Sequence, residues 1–226
     1  ALMVETLDLI EMKGLAVPDL SRIDFADKAT AQLLATGDSA GVYCLESADM
    51  QKLLPQVPPQ SLTDVAILQA LAFIMPDPSE NSRLRDYIER KQGRRETSAA
   101  FAELDPFLED TRGLIIYQEQ IMRIAQIMAG YTPAESDRFW IAMGRKVAAD
   151  IEHHRQQFLQ GAVSNGVDTA TARQIYEHLV DFGGYAHNKA HGIACALSTW
   201  QSAYLKAHFP VEFAAALTKS TSMSME

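Results

Sequence analysis

Residues 118–135 read QEQIMRIAQIMAGYTPAE, and this stretch decides the fold class. Ile121, Ile124, Ala125 and Met128 recur at i, i+3, i+4 and i+7 behind a polar Gln118-Glu119-Gln120 start, which is the spacing of one apolar helix face. Gly130 can take the left-handed conformation that ends a helix. Thr132-Pro133-Ala134-Glu135 then offers a hydroxyl N-cap, a proline at the first helical position and a carboxylate at the third. A second helix is therefore expected over about 133–143.

The same punctuation extends in both directions. Downstream, Ser164-Asn165-Gly166 is a turn, and Asp168 can cap a helix that runs to about Phe182 and closes at Gly183-Gly184. A long helix is expected over about 190–208, stopping before Pro210 because the proline ring disfavours helical backbone at the residue before it. A short helix over about 211–217 would follow. Upstream, Ala26–Leu34 stops at Gly37, and Ser61–Met75 opens on Ser-x-x-Asp and ends at Pro76. Gly41-Val-Tyr-Cys-Leu45 is the one extended-looking piece, too short to make a sheet alone. The fold class is mainly α, an irregular multi-helix arrangement with at most a short extended segment near 41–45. With no repeat and no linker-like tract, the chain reads as one continuous unit.

At 226 residues, 47% hydrophobic and 22% charged, the chain is long and apolar enough for a packed core, which excludes disordered and collagen-like classes. Cys44 and Cys195 are its two cysteines, so neither a disulfide framework nor a Cys-x-x-Cys zinc site is available and a cytoplasmic location is expected. No apolar run approaches the ~20 residues of a membrane span, and no basic leader opens the sequence. The net charge of -9 speaks against a free-standing nucleic-acid binder. Its distribution is uneven: residues 1–80 carry 4 Lys/Arg against 12 Asp/Glu, and the remainder 16 against 17, so the later part can present a basic face.

No phosphate loop, dinucleotide fingerprint, nucleophile elbow or His-Glu-x-x-His motif occurs. Three weaker constellations remain. Residues 81–96 set Arg83, Arg85, Arg90, Lys91, Arg94 and Arg95 against three acids, either a phosphate grip or a solvated helix face laced with ion pairs. Residues 183–192 (GGYAHNKAHG) hold Asn188, Lys189, His187 and His191 at the start of the long helix. Free N–H groups and the positive dipole end favour an anion there, and the plainer account is helix-entry capping. Zinc is disfavoured, because His187 and His191 have no third ligand at suggestive spacing. Met143-Gly144-Arg145-Lys146 places two cations at a helix C-terminus, where the dipole alone would explain them. The pair His153-His154 reads as surface.

Taken in order, several motifs resemble one family. They are Gly41-Val-Tyr-Cys-Leu-Glu-Ser47, Tyr87-Ile-x-Arg90-Lys91-x-Gly93-Arg94, Gly113-Leu-Ile-Ile-Tyr-Gln-Glu-Gln120, Ala129-Gly-Tyr-Thr132, Ala142-Met-Gly144, Phe182-Gly-Gly-Tyr185 with Asn188-Lys189-x-His191, and Leu205-Lys-Ala-His-Phe-Pro210 with Glu212-Phe213. The order resembles the C family of DNA polymerases, the alpha subunits of bacterial DNA polymerase III. The resemblance implies that residues 1–226 are the helical fingers region, with 1–25 the junction from the palm and 220–226 a candidate disordered tail. It implies contact with incoming dNTP and with primer-template phosphates through Lys91, Arg94, Arg145, Lys146, Asn188, Lys189 and His191, acting by charge and positioning. The palm aspartates that hold Mg²⁺ in that family precede the point matching Ala1, and no Asp-x-Asp occurs here. No catalytic residue and no metal ligand is therefore expected in this chain, and the fragment alone should not polymerise DNA. Primer-template DNA, dNTP and other replisome subunits are the implied partners, with no membrane. The chain departs from the family at Met75 and Asp77, and at Trp140-Ile141 where an arginine pair is usual. Those lost cations keep a second reading open, a polymerase-like paralogue whose catalysis has decayed. The 81–96 patch alone would motivate a third, a free-standing DNA-binding module.

Overall fold

The computed structural model describes residues 1–73, 77–99, 101–183 and 186–223. Met75, Pro76, Gly184, Tyr185 and residues 224–226, singled out above, lie outside the described residues. Twelve α-helices are found among the described residues: α1 (Leu2–Met12), α2 (Lys28–Ala35), α3 (Ala48–Leu53), α4 (Leu62–Ala72), α5 (Ser82–Lys91), α6 (Asp105–Leu108), α7 (Gln118–Ala129), α8 (Pro133–Arg145), α9 (Ala148–Ser164), α10 (Thr169–Gly183), α11 (Lys189–His208) and α12 (Pro210–Met223). The mainly α class holds. The chain divides into two compact units, one of residues 1–88 with 191–226, the other of residues 89–190.

In the first unit, α1 packs along α12, and Ile10, Leu205 and Phe213 are buried together with Leu2, Leu7 and Phe209 against them. Trp200 is fully buried and donates its indole N–H to the Asp24 carbonyl at 3.0 Å. Helix starts follow side-chain caps. The Asp27 carboxylate accepts from the Thr30 amide at 2.8 Å, and the Ser61 hydroxyl accepts from Asp64 at 3.2 Å, each contact being worth about 1 kcal/mol.

The extended segment expected at 41–45 is not there. Those residues form turns, with Gly41 at φ 74° and Cys44 at φ 57°. Their polar groups are met by α11 instead of a neighbouring strand: the Tyr43 amide donates to the Ser202 hydroxyl at 3.1 Å and the Tyr43 carbonyl accepts from Thr199 at 2.9 Å. A Cβ at Gly41 would also press on Leu217 and Phe213 at 3.0–3.1 Å.

The second unit is built on α7 to α10. Ile121, Ile124, Ala125 and Met128 are buried as the periodicity demands, each isoleucine contributing about 2 kcal/mol by removal from water. Gly130 ends α7 at φ 71°, and the Thr132–Glu135 capping box forms in full, with Thr132 N–H and O–H both donating to Glu135 at 2.8 and 2.7 Å. Asp168 starts α10 by accepting from the Ala170 amide at 2.8 Å. The 17-residue α9 closes on α7 so tightly that a Cβ at Gly161 would lie 1.9 Å from the Ala129 carbonyl oxygen. His154, expected at the surface, is buried on α9 beside Tyr131 and Phe139, and burial, with His153 alongside, holds its pKa below the ordinary imidazole value. Its place one turn before Phe158 puts it on the core face.

Candidate functional site

The expected phosphate-contact residues stand at three helix ends, the C-termini of α5 and α8 and the N-terminus of α11. At the first, the Gly93 amide donates to the Arg90 carbonyl at 3.1 Å and the Arg94 amide to the Glu89 carbonyl at 2.9 Å, with Gly93 at φ 70°. This is a Schellman closure, which requires glycine at the left-handed position. It leaves Arg94 exposed while Lys91 is half-buried with its ammonium nitrogen sheltered from solvent. Arg90 is drawn inward to donate to the carbonyls of Ser98 (2.6 Å) and Arg112 (2.7 Å), over Gly113. Within the charged 81–96 stretch, Arg90 is therefore a staple of the fold.

At the second end, Arg145 is the last residue of α8 and Lys146 its C-cap, at φ 55° with its amide on the Ala142 carbonyl at 3.1 Å. Both are exposed. The negative end of the helix dipole favours cations here by about 0.3–1 kcal/mol.

The third end is built differently. The loop 113–117 ahead of α7 is pinned by Gln120, whose side-chain oxygen accepts from the amides of Ile116 and Tyr117 at 2.9 Å each, while its amide donates to Thr111 Oγ1 at 2.7 Å and the Phe107 carbonyl at 3.3 Å. Against this loop lies the segment entering α11. The His187 amide donates to the Ile116 carbonyl at 2.8 Å and the Gln118 amide to the His187 carbonyl at 2.9 Å, a single parallel bridge. Two residues on, the Lys189 amide donates to both oxygens of the Glu119 carboxylate at 3.0 and 3.1 Å. Glu119 thus takes the amide of Lys189 at the start of the long helix, which the sequence reading offered to an outside anion.

What faces outward is the Lys189 ammonium, 3.5 Å from an Asp110 carboxylate oxygen and 5.7 Å from the centre of the Tyr117 ring, within cation–π range. Tyr117 is 2% exposed, and among the described residues its hydroxyl has no hydrogen-bond partner. Burial, with the charges of Glu119 and Asp110 nearby, pushes the phenol well above its ordinary pKa, so it stays neutral. An orphaned buried hydroxyl costs about 1–3 kcal/mol. Asn188 is exposed beside Lys189. His191, in the first unit, is exposed with Nε2 3.5 Å from Cys195 Sγ.

The structure therefore gathers Lys189 with Glu119, Asp110, Tyr117 and Gln120, four residues the sequence reading did not assign to the site. Glu119 and Gln120 belong to the polar helix start and to the Gly113–Gln120 motif, neither of which assigns them a contact, and their partners are up to 70 residues away. Among the described residues no group of three or more His, Cys, Asp or Glu could hold a metal ion, and no helix is long and apolar enough to cross a membrane.

Residues 1–166 match a family described as the bacterial DNA polymerase III alpha subunit finger domain. The chain is 39% identical over 210 residues to the DNA polymerase III subunit alpha of Pseudomonas aeruginosa, covering 91% of this chain and 18% of that protein. It is 38% identical over 202 residues to the same subunit of Bacillus subtilis, covering 89% and 18%. The Haemophilus influenzae subunit is 37% identical over 223 residues, covering 95% and 19%. The chain thus spans under a fifth of the length of these relatives.

Proposed function

Because this chain belongs to the family of bacterial DNA polymerase III alpha subunit finger domains, we propose that it serves DNA-templated DNA synthesis by a longer, cytoplasmic polymerase, binding the phosphates of incoming dNTP and of primer-template DNA. The whole of residues 1–226 is read as fingers, with 1–25 leading in from the palm. Asn188, Lys189 and His191 at the start of α11 form the centre of the phosphate contact, and Arg94, Arg145, Lys146 and Lys91 supply the outlying cations. Lys91 must swing its sheltered ammonium outward to take part. The Mg²⁺ that such synthesis needs would neutralise the reacting phosphates. It is assigned to residues outside this chain, whose sequence carries no Asp-x-Asp motif. Other replisome subunits are further partners of the whole protein.

One observation carries the reading. Lys189 places a positive charge on the positive end of α11, which costs stability by the dipole, and the surrounding residues offset that cost instead of removing the lysine. The Glu119 clamp fixes the backbone, so the ammonium is presented from a rigid base. Its side-chain partner Asp110 is mostly exposed, and such a pair is worth about 0–1 kcal/mol, so a phosphate can take its place readily. Each preorganised charge contact at developing phosphate charge is worth about 2.7–4 kcal/mol. In the full-length protein, Lys189→Ala should lower incorporation on a primed template by about 10²-fold or more with unchanged helicity by circular dichroism. Normal incorporation by that variant would refute the assignment.

A further inference from the structure

A pocket apart from the α11 cradle lies in the 89–190 unit. Helices α8 and α9 flank an open-sided pocket of about 310 Å³ lined by Arg138, Ile141, Ala142 and Arg145 from one helix and Asp150, His153 and His154 from the other. The α8 residues stand at i, i+3, i+4 and i+7, a single face, so both guanidinium groups address the same space. Neither Arg138 nor Arg145 forms an ion pair among the described residues. Of the carboxylates near Arg138 in sequence, Asp137 adjoins it, and Glu135, whose charge acts on Arg138, makes its hydrogen bonds to the Thr132 cap at 2.7–2.8 Å and to Gln157 at 3.2 Å. Asp150 lies in the first turn of α9, where it answers that helix's own dipole. The lining itself sets two guanidiniums against the one carboxylate of Asp150, with Glu135 acting on Arg138 and His154 from outside the lining, His154 buried, and His153 exposed at the edge as a further hydrogen-bond donor or acceptor. Ile141, 39% exposed, and Ala142 give one wall an apolar surface.

Guanidinium forks match phosphate oxygens, and an apolar wall beside them suits the carbon part of an ester better than a free ion. We propose that the α8–α9 pocket binds a phosphate ester, gripped by Arg138 and Arg145 with a hydrogen bond from His153, its carbon moiety lying on Ile141 and Ala142. The proposal rests on the reading of this chain as a phosphate-handling domain, and it adds Arg138 and His153 to the contact set. The ester comes from one of two sources, a nucleic-acid backbone or a nucleoside triphosphate.

The test uses the full-length protein carrying Arg138→Gln, Arg138→Gln with Arg145→Gln, or Lys189→Ala. Two quantities are measured: anisotropy of fluorescein-labelled primer-template across a NaCl titration, and the dNTP dependence of incorporation. A backbone contact predicts that Arg138→Gln weakens primer-template binding about tenfold regardless of sequence and shrinks the log–log salt slope by about 0.9, with KM for dNTP unchanged. A triphosphate contact predicts about a tenfold rise in KM with the salt slope unchanged. Either result supports the pocket and identifies the source. If the double arginine variant changes neither quantity while Lys189→Ala impairs incorporation, the pocket is overturned and the α11 reading stands; the opposite pattern overturns the α11 reading alone. Both arginines are exposed, so the variants should melt with the parent. Arg138→Lys, which keeps the charge and loses the fork, should recover most of the salt slope; failure to recover any of it, with the parent's melting temperature, would overturn the electrostatic role.

Discussion

Lys189 opens α11 and Lys146 closes α8, and the two lysines meet opposite ends of a helix dipole. At the end of α8 the field welcomes the charge, and Lys146 is left exposed there beside Arg145. At the start of α11 the field opposes it, and the fold answers with a carboxylate clamp on the backbone, a second carboxylate on the ammonium and an aromatic ring beneath it. A cation placed with the dipole gains stability there whatever else it does. One placed against it, and supported so heavily, needs a reason outside stability. This contrast ranks the proposed phosphate contacts more sharply than their number does.

The largest expected effect follows from that ranking. Lys189→Ala should cost about 2.7–4 kcal/mol in the barrier to incorporation while leaving thermal stability unchanged or raised by up to about 1 kcal/mol, since an unfavourable charge is removed. Lys146→Ala should show the reverse balance, with incorporation reduced less than about tenfold and stability slightly lowered. Parallel rate and melting measurements on the two variants decide it. Equal losses of rate would erase the distinction between the two helix ends.

Next in size is the support of the α11 cradle. Gly113 has φ 78°, and a Cβ there would lie 2.4 and 2.5 Å from the carbonyl oxygens of Thr97 and Ser98 and 2.6 Å from Arg90 Nη1. Gly113→Ala should therefore destabilise the protein by about 3 kcal/mol, seen in urea unfolding, and lower incorporation with it because the loop that pins His187 and Lys189 is displaced. No comparable loss is expected from Gly144→Ala near the end of α8, where nothing lies within 4 Å of the added atom. Smaller is the effect of Glu119→Gln, which keeps the shape but removes the charge from a charge-assisted contact. A loss of about 1–2 kcal/mol is expected, with hydrogen exchange at the first turn of α11 accelerated before that of α8. Unchanged exchange there would show that the bridge through His187 holds the loop alone.

These differences also mark what could be read from the chain. The Thr132–Glu135 box was legible because every partner lies within three residues, and the α7 stripe because one apolar face repeats. The 41–45 segment misleads because Val-Tyr-Cys-Leu has strand-like composition, yet its hydrogen bonds go to Thr199 and Ser202, more than 150 residues away. His154 misleads because a polar pair reads as surface unless its spacing to Phe158 is weighed. The site was half legible. Lys189 and Asn188 stood out as polar residues at a helix start, but Glu119 acquires its role only when 70 residues of intervening chain return it to that helix. Local chemistry is written locally, and the clamp is not.

The smallest expected effect is the most discriminating for Lys146. A non-glycine residue at φ 55° pays for a left-handed backbone that glycine would adopt without strain. If Lys146 were present for stability alone, its favourable contacts, the dipole contact of about 0.3–1 kcal/mol among them, would outweigh that strain, and Lys146→Gly would lower the melting temperature. A use for the charge in phosphate contact predicts the other outcome. The full-length Lys146→Gly variant should accordingly melt no earlier than the parent while its primer-template affinity falls severalfold and its salt slope shrinks by up to about 0.9. A variant that melts no earlier and binds DNA at full strength would return Lys146 to the structural column and leave the start of α11 as the distinct phosphate-facing end of the two.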